Sequence, residues 1–183
     1  EISSLILAST DSINSAFNIA NAIYSAKKTL LEKLKNDLQE AVKEKNLRLT
    51  WDINESLKPG SGFSILFPDH SNTCLRFQFE SGSLNNLNWG IRNADKSNFS
   101  EPLFSTIQNQ MNSAIKTGKP YLKLWPWYVD NFIAETGHEL RHWDKDPIPW
   151  QMINDGVIAP VIVSIAEKTR TAISATLKSV DQR

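Results

Sequence analysis

Cysteine is almost missing from this chain: Cys74 stands alone among 183 residues. A single thiol excludes an internal disulfide framework and a thiolate zinc cage, and it suits a reducing cytoplasm. A surplus of either charge is missing too, because 20 Lys+Arg balance 20 Asp+Glu. Wrapping a nucleic-acid backbone over the whole surface needs excess cations, so only a local basic patch is left open. No run approaches the ~18 consecutive apolar residues of a membrane span, and no basic-then-apolar leader opens the chain, so no membrane contact is expected. Glycine fingerprints ahead of a helix, G-x-S-x-G and Walker patterns do not occur, which leaves nucleotide-binding and serine-hydrolase readings without support. The chain begins with Glu1 rather than Met, and on that ground it reads as an excised or processed piece.

What is present has the balance of a globular protein, with 40% hydrophobic and 22% charged residues. Ile13, Ala16, Phe17, Ala20, Ile23, Tyr24, Leu30, Leu31, Leu34, Leu38 and Val42 recur at spacings of three and four, the mark of an amphipathic helix. Thr10 and Asp11 offer capping side chains, and no Pro or Gly interrupts Ser12 to Lys45. Such a helix is roughly 50 Å long, more than a small domain can cover, so part of it should project.

The period then falls from 3.6 to 2. Leu47-Leu49-Trp51-Ile53, Phe63 to Phe67, Leu75-Phe77-Phe79 and Leu87-Trp89-Ile91 alternate with polar residues and are separated by turn-forming clusters. They predict an antiparallel meander with one wet face. Helical patterns return after Ser100-Glu101-Pro102, near 129–136, from Pro149 to Asp155, and after Pro160, while Tyr121 to Tyr128 reads as an edge strand or loop because of Pro126. The predicted fold is α+β: an antiparallel meander of four strands or more covered by helices, with a long N-terminal helix (1–46) leading into one compact unit (47–183) and a C-terminal helix closing it.

The sharpest local string is His138-Glu139-Leu140-Arg141-His142, an H-E-x-x-H match. On a helix it would set two imidazoles on one face to hold zinc, with Glu139 activating the bound water and Glu167 as a third ligand. The string then resembles the site of gluzincin-type peptidases. Gly137 before it, Arg141 between the ligands and Asp144 where an apolar residue belongs all speak against this. A second pattern, Pro68-Asp69 with Glu80-Ser81-Gly82, resembles a PD-(D/E)xK site but lacks the lysine that would stabilise the attacked phosphate. Among binding candidates, Trp125, Trp127, Tyr128, Trp143 and Trp150 could grip a ligand or close the sheet, and Arg76, Arg92 and Lys96 share the wet face as a local phosphate-contacting patch.

The whole order of elements carries a further resemblance. A long helix over Ile13–Val42, the strand Leu75-Arg76-Phe77-Gln78-Phe79-Glu80, then Trp89-Gly90-Ile91, Leu124-Trp125-Pro126-Trp127 and a closing helix resemble the C-terminal region of bacterial PD-(D/E)xK nuclease-like proteins. The resemblance implies a nuclease core upstream and no catalytic residue in this chain. The leading expectation is a non-catalytic accessory domain without cofactor. It would position DNA, bind a protein partner such as the upstream nuclease-like domain, or dimerise. The alternatives are a zinc-dependent hydrolase built on His138, Glu139, His142 and Glu167, and a ligand- or peptide-sensing domain with a Trp-lined pocket.

Overall fold

A computed structural model describes residues 2–54, 57–69, 72–116, 118–130, 137 and 139–180, with side chains to position 174. The α+β architecture is as expected. A short helix α1 (Ile2–Ile6) precedes α2 (Thr10–Glu44), and four strands follow in succession: β1 (Arg48–Trp51), β2 (Gly62–Leu66), β3 (Thr73–Ser81) and β4 (Asn85–Asn93). Then come α3 (Glu101–Ala114), a hairpin of β5 (Lys119–Tyr121) and β6 (Trp125–Val129), α4 (Ile148–Asn154) and α5 (Ile158–Val180). The sheet has six strands in the order β1-β2-β3-β4-β6-β5, with every pairing antiparallel.

The register of the meander is fixed by its aromatic residues. Trp51 lies opposite Phe63, Phe63 opposite Phe77, and Phe77 opposite Trp89. Their rings form one ladder across four strands, with centroids 5.4, 4.9 and 5.9 Å apart and planes within 16° of parallel. Trp127 on β6 extends it edge-on at 5.1 Å from Trp89. A slip of one residue would turn each of these rings to the opposite face, so the pairing is strongly specified. Leu34, Leu38 and Val42 of α2, Ile107 and Met111 of α3, and Ile158, Ile162, Ala166 and Ile173 of α5 cover the ladder face. α5 packs against both α2 and α3.

Several local expectations need correction. Ser9 caps α2, its hydroxyl accepting from the Ser12 amide at 3.1 Å, one residue earlier than Thr10. α5 starts at Ile158 and takes Pro160 into its first turn, where a missing amide hydrogen is harmless. β6 is not an edge strand, since it lies between β4 and β5. Pro126 is tolerated because β4 pairs only with Trp127 to Val129 and the β5 pairing slips register between Lys119 and Tyr121. The helix expected over 129–136 falls largely outside the described residues, and Val129 ends β6. The second face of the sheet is polar yet hardly wet: Ser64, Cys74, Arg76 and Asn88 are all buried on it.

Two glycines mark close approaches around Trp127. A Cβ on Gly90 would lie 2.3 Å from the Trp127 carbonyl oxygen, and one on Gly118 would lie 2.3 Å from the Trp127 indole nitrogen. That nitrogen donates to Asn112 Oδ1 (3.0 Å) and the Lys116 carbonyl (3.3 Å), anchoring β6 to the end of α3.

Because Phe77 is fully buried at the centre of the ladder, Phe77→Ala should lower unfolding free energy by about 3–5 kcal/mol. Chemical denaturation followed by circular dichroism measures this; a loss under ~1 kcal/mol would show that the ladder does not organise the core.

Candidate ligand sites

Period-2 alternation sends Asp52, Ser64, Cys74, Arg76, Gln78, Asn88 and Arg92 to the face opposite the ladder. Arg76 is only 5% exposed, and its terminal nitrogen donates to both oxygens of Asp52 (3.1 and 2.9 Å) and to the Gly60 carbonyl (2.8 Å). Asp52 also accepts from the Gly62 amide at 2.6 Å, which ties the 52–62 connection across the face. Arg92 donates to Gln78 Oε1 at 3.1 Å and lies over the Trp125 ring, 5.6 Å from its centroid. Burial, and then the positive field of Arg76, lowers Arg92 from its ordinary value. With Lys96 these groups line a pocket of about 200 Å³. The structure therefore brings together Arg76, Arg92 and Lys96, grouped from the sequence, and adds Asp52, Ser64 and Cys74. Alternation alone could have assigned those three to the same face.

The tryptophans divide. Trp127 and Trp143 are fully buried. Trp143 sits edge-on to Phe79 and Trp150, donates to the Leu140 carbonyl (3.0 Å), and through its own carbonyl accepts from the Trp150 indole (2.7 Å). These two fill space and have no surface to offer a ligand. Trp125 is 7% exposed and packs near Tyr128, which is half-buried beside the exposed Lys119–Asp130 ion pair.

Trp51 and Trp150 border open space; Trp150 belongs to the aromatic cluster expected to grip a ligand, whereas Trp51 was in no binding expectation. With Ile23, Tyr24, Leu31 and Ile53 they line an apolar groove of about 550 Å³ beside α2. Lys27 closes one end, its ammonium on the Asp144 carbonyl (3.2 Å) and over the Trp150 ring (5.0 Å). Beyond the groove the N-terminal part of α2 leaves the sheet, and Phe17, Ile19, Ile23 and Tyr24 are more than half exposed. The excess length of the helix was the signal for this.

Glu139 to His142 of the HELRH string do not form a helix. His138 lies outside the described residues, and Glu139 to His142 run extended along the start of β4. The Leu87 amide donates to the Arg141 carbonyl (3.0 Å), the Trp143 amide to the Leu84 carbonyl (3.1 Å), and Arg141 Nε to Asn86 Oδ1 (2.6 Å). Gly137, at φ +80°, sits in the left-handed region just before the string. His142 Nδ1 is 2.5 Å from Asn85 Oδ1. Glu139 and His142 share a cleft with Lys145 and Asp146, whereas Glu167 lies on α5, paired with Lys45 at 3.2 Å, and lines a different cleft. Glu139 to His142 therefore do not supply the helical turn that a zincin site needs. Among the described residues no group of three His, Cys, Asp or Glu side chains is placed to hold a metal. Asp69 pairs with Arg170 of α5, which ties the β2–β3 turn to that helix. No single helix among the described residues is long and apolar enough to cross a membrane.

No family model, curated protein or solved structure matches the chain.

Cys74 is 1% exposed, donates to the Arg92 carbonyl (3.3 Å), and is pushed up from the ordinary thiol value of 9.0 chiefly by burial. The neutral thiol is therefore preferred in the fold. Its stabilisation is complete below pH 9.0, where the unfolded thiol is also protonated, and is lost as pH rises from there through the higher folded value. Stability should accordingly fall above pH 9.0 in the native chain, and less steeply in Cys74→Ala, when urea midpoints are measured at several alkaline pH values.

Proposed function

We propose that the chain is a non-catalytic accessory domain of a nuclease-like protein, and that it docks onto a protein partner through the apolar side of α1 and α2. One observation carries this reading. Eight of the eleven large apolar side chains exposed among the described residues lie between Ile2 and Tyr24. Apolar surface gathered in one region marks an interaction site, whereas scattered exposed residues need no explanation. No charged residue occurs from Ser12 to Ala26, which favours an apolar, uncharged counterpart. The partner that fits the order of elements is the upstream nuclease-like domain. The long helix serves as the connecting arm, and the groove edged by Trp51 and Trp150 receives a side chain from that domain.

Burying each of these side chains is worth about 1.5–3 kcal/mol, and a charge placed among them must be desolvated. Titration with the separately expressed upstream region should give saturable binding, and Ile23→Glu should weaken it at least about tenfold, equivalent to ~1.4 kcal/mol, without shifting the thermal transition. A monomer indifferent to that region would refute the docking. A self-associated chain that Ile23→Glu dissociates would assign the surface to a second copy. Turnover of peptide or DNA by this chain with stoichiometric zinc or magnesium would refute the non-catalytic reading.

A further inference from the structure

We propose that the polar face of the sheet carries an oxyanion site, in which Arg92 and Lys96, beside Arg76, take up a phosphate group. The inference uses a surface other than the α1–α2 arm and does not depend on the docking reading.

The pocket sets three cations, Arg76, Arg92 and Lys96, against the carboxylate of Asp52. In the β3–β4 register Cys74 faces Arg92 and Arg76 faces Gly90, so the two guanidinium groups are diagonal neighbours on one face. Like charges at that spacing on a shielded surface repel. The nearby acids do little to offset this. Asp52 is engaged by Arg76 and the Gly62 amide. Asp95 is held by the Asn72 amide group (2.7 Å) and the Ser97 amide (2.8 Å), and Glu80 is exposed near the end of β3.

Two further atoms point to an unfilled role. The Nε of Arg76, on a side chain more than nine-tenths buried, and the Nε of Arg92 are both shielded from water without a hydrogen-bond partner among the described residues. A buried donor left unsatisfied is unfavourable, and a small shift of either guanidinium toward an incoming anion would relieve it. The Trp125 ring supports the plane of Arg92 from one side.

The chemistry of the ligand follows from the donors. Paired guanidinium forks and an ammonium match the several acceptor oxygens and double charge of a phosphate better than a single carboxylate. A pocket of about 200 Å³ is smaller than those that enclose drug-sized molecules. The ligand is therefore a free phosphate, the phosphate of a small metabolite, or one phosphate of a nucleic-acid backbone.

Calorimetric titration of the purified chain with inorganic phosphate, a 5′-mononucleotide and a short DNA duplex at low salt tests the site. Saturable binding is expected, weakened about tenfold by Arg92→Gln through loss of a charge-assisted pair. Asp52→Asn should strengthen it severalfold, because the variant keeps an acceptor for Gly62 while releasing charge on Arg76. Lys96→Ala, at an exposed loop position, supplies the same test should Arg92→Gln fail to fold. Tightest binding of the mononucleotide supports a small phosphorylated ligand. Duplex binding that phosphate displaces and Arg92→Gln abolishes supports the same site with a backbone phosphate. Absence of saturable binding by all three probes overturns the proposal. So does binding by folded variants that neither Arg92→Gln nor Lys96→Ala alters.

Discussion

The stacked rings of Trp51, Phe63, Phe77 and Trp89 set the geometry of the whole molecule. Each ring belongs to a different strand and each faces its neighbour directly in register, so one row of side chains aligns four strands at once. Once that row points toward the helices, every second residue is committed to the opposite face. Arg76 and Arg92 are brought together there as a result, and not through any contact between them. The apolar core and the cationic pocket are two sides of one register.

The helical layer has a different logic. α2 is held to the sheet by its C-terminal half, through Leu34, Leu38 and Val42, and by the Lys27 tether to the segment before α4. Its N-terminal half, which follows α1, is exposed along most of its length. The two halves share one amphipathic pattern but have different surroundings, a core on one side and open space on the other. A binding surface built in this way uses the helix that stabilises the domain, so a partner seated on it would sense a well-anchored rod.

Much of this was legible in the residues. The change of period from 3.6 to 2 located the meander, and the uninterrupted run from Ser12 to Lys45 gave the long helix. A period identifies an apolar face but not what lies against it, so Ile13 through Val42 read as one stripe although only its last third enters the core. The helical reading of HELRH does not hold over Glu139 to His142 for a related reason. The pattern of five residues matches a zinc helix, but Gly137 and the ladder bonds of Leu87 and Trp143 make Glu139 to His142 a strand-like edge. Pro126 misled in the other direction, because a bulge at β5–β6 relieves the demand for its amide. The basic pocket was half legible. Arg76, Arg92 and Lys96 could be grouped by alternation, but the pairing of Arg76 with Asp52 depends on how β1 and the 52–62 connection cross the face, which no local pattern encodes.

Trp127 shows how tightly substitutions are interlocked in such a sheet. Gly118 abuts its indole and Gly90 abuts its carbonyl. A smaller ring at 127 would open room for alanine at 118, so position 118 can change only after position 127. Gly90 meets backbone, which no exchange of side chains can retract, so it remains closed to replacement whatever happens at 127. The indole of Trp127 thus governs one position and the backbone of β6 the other, two segments distant in the chain.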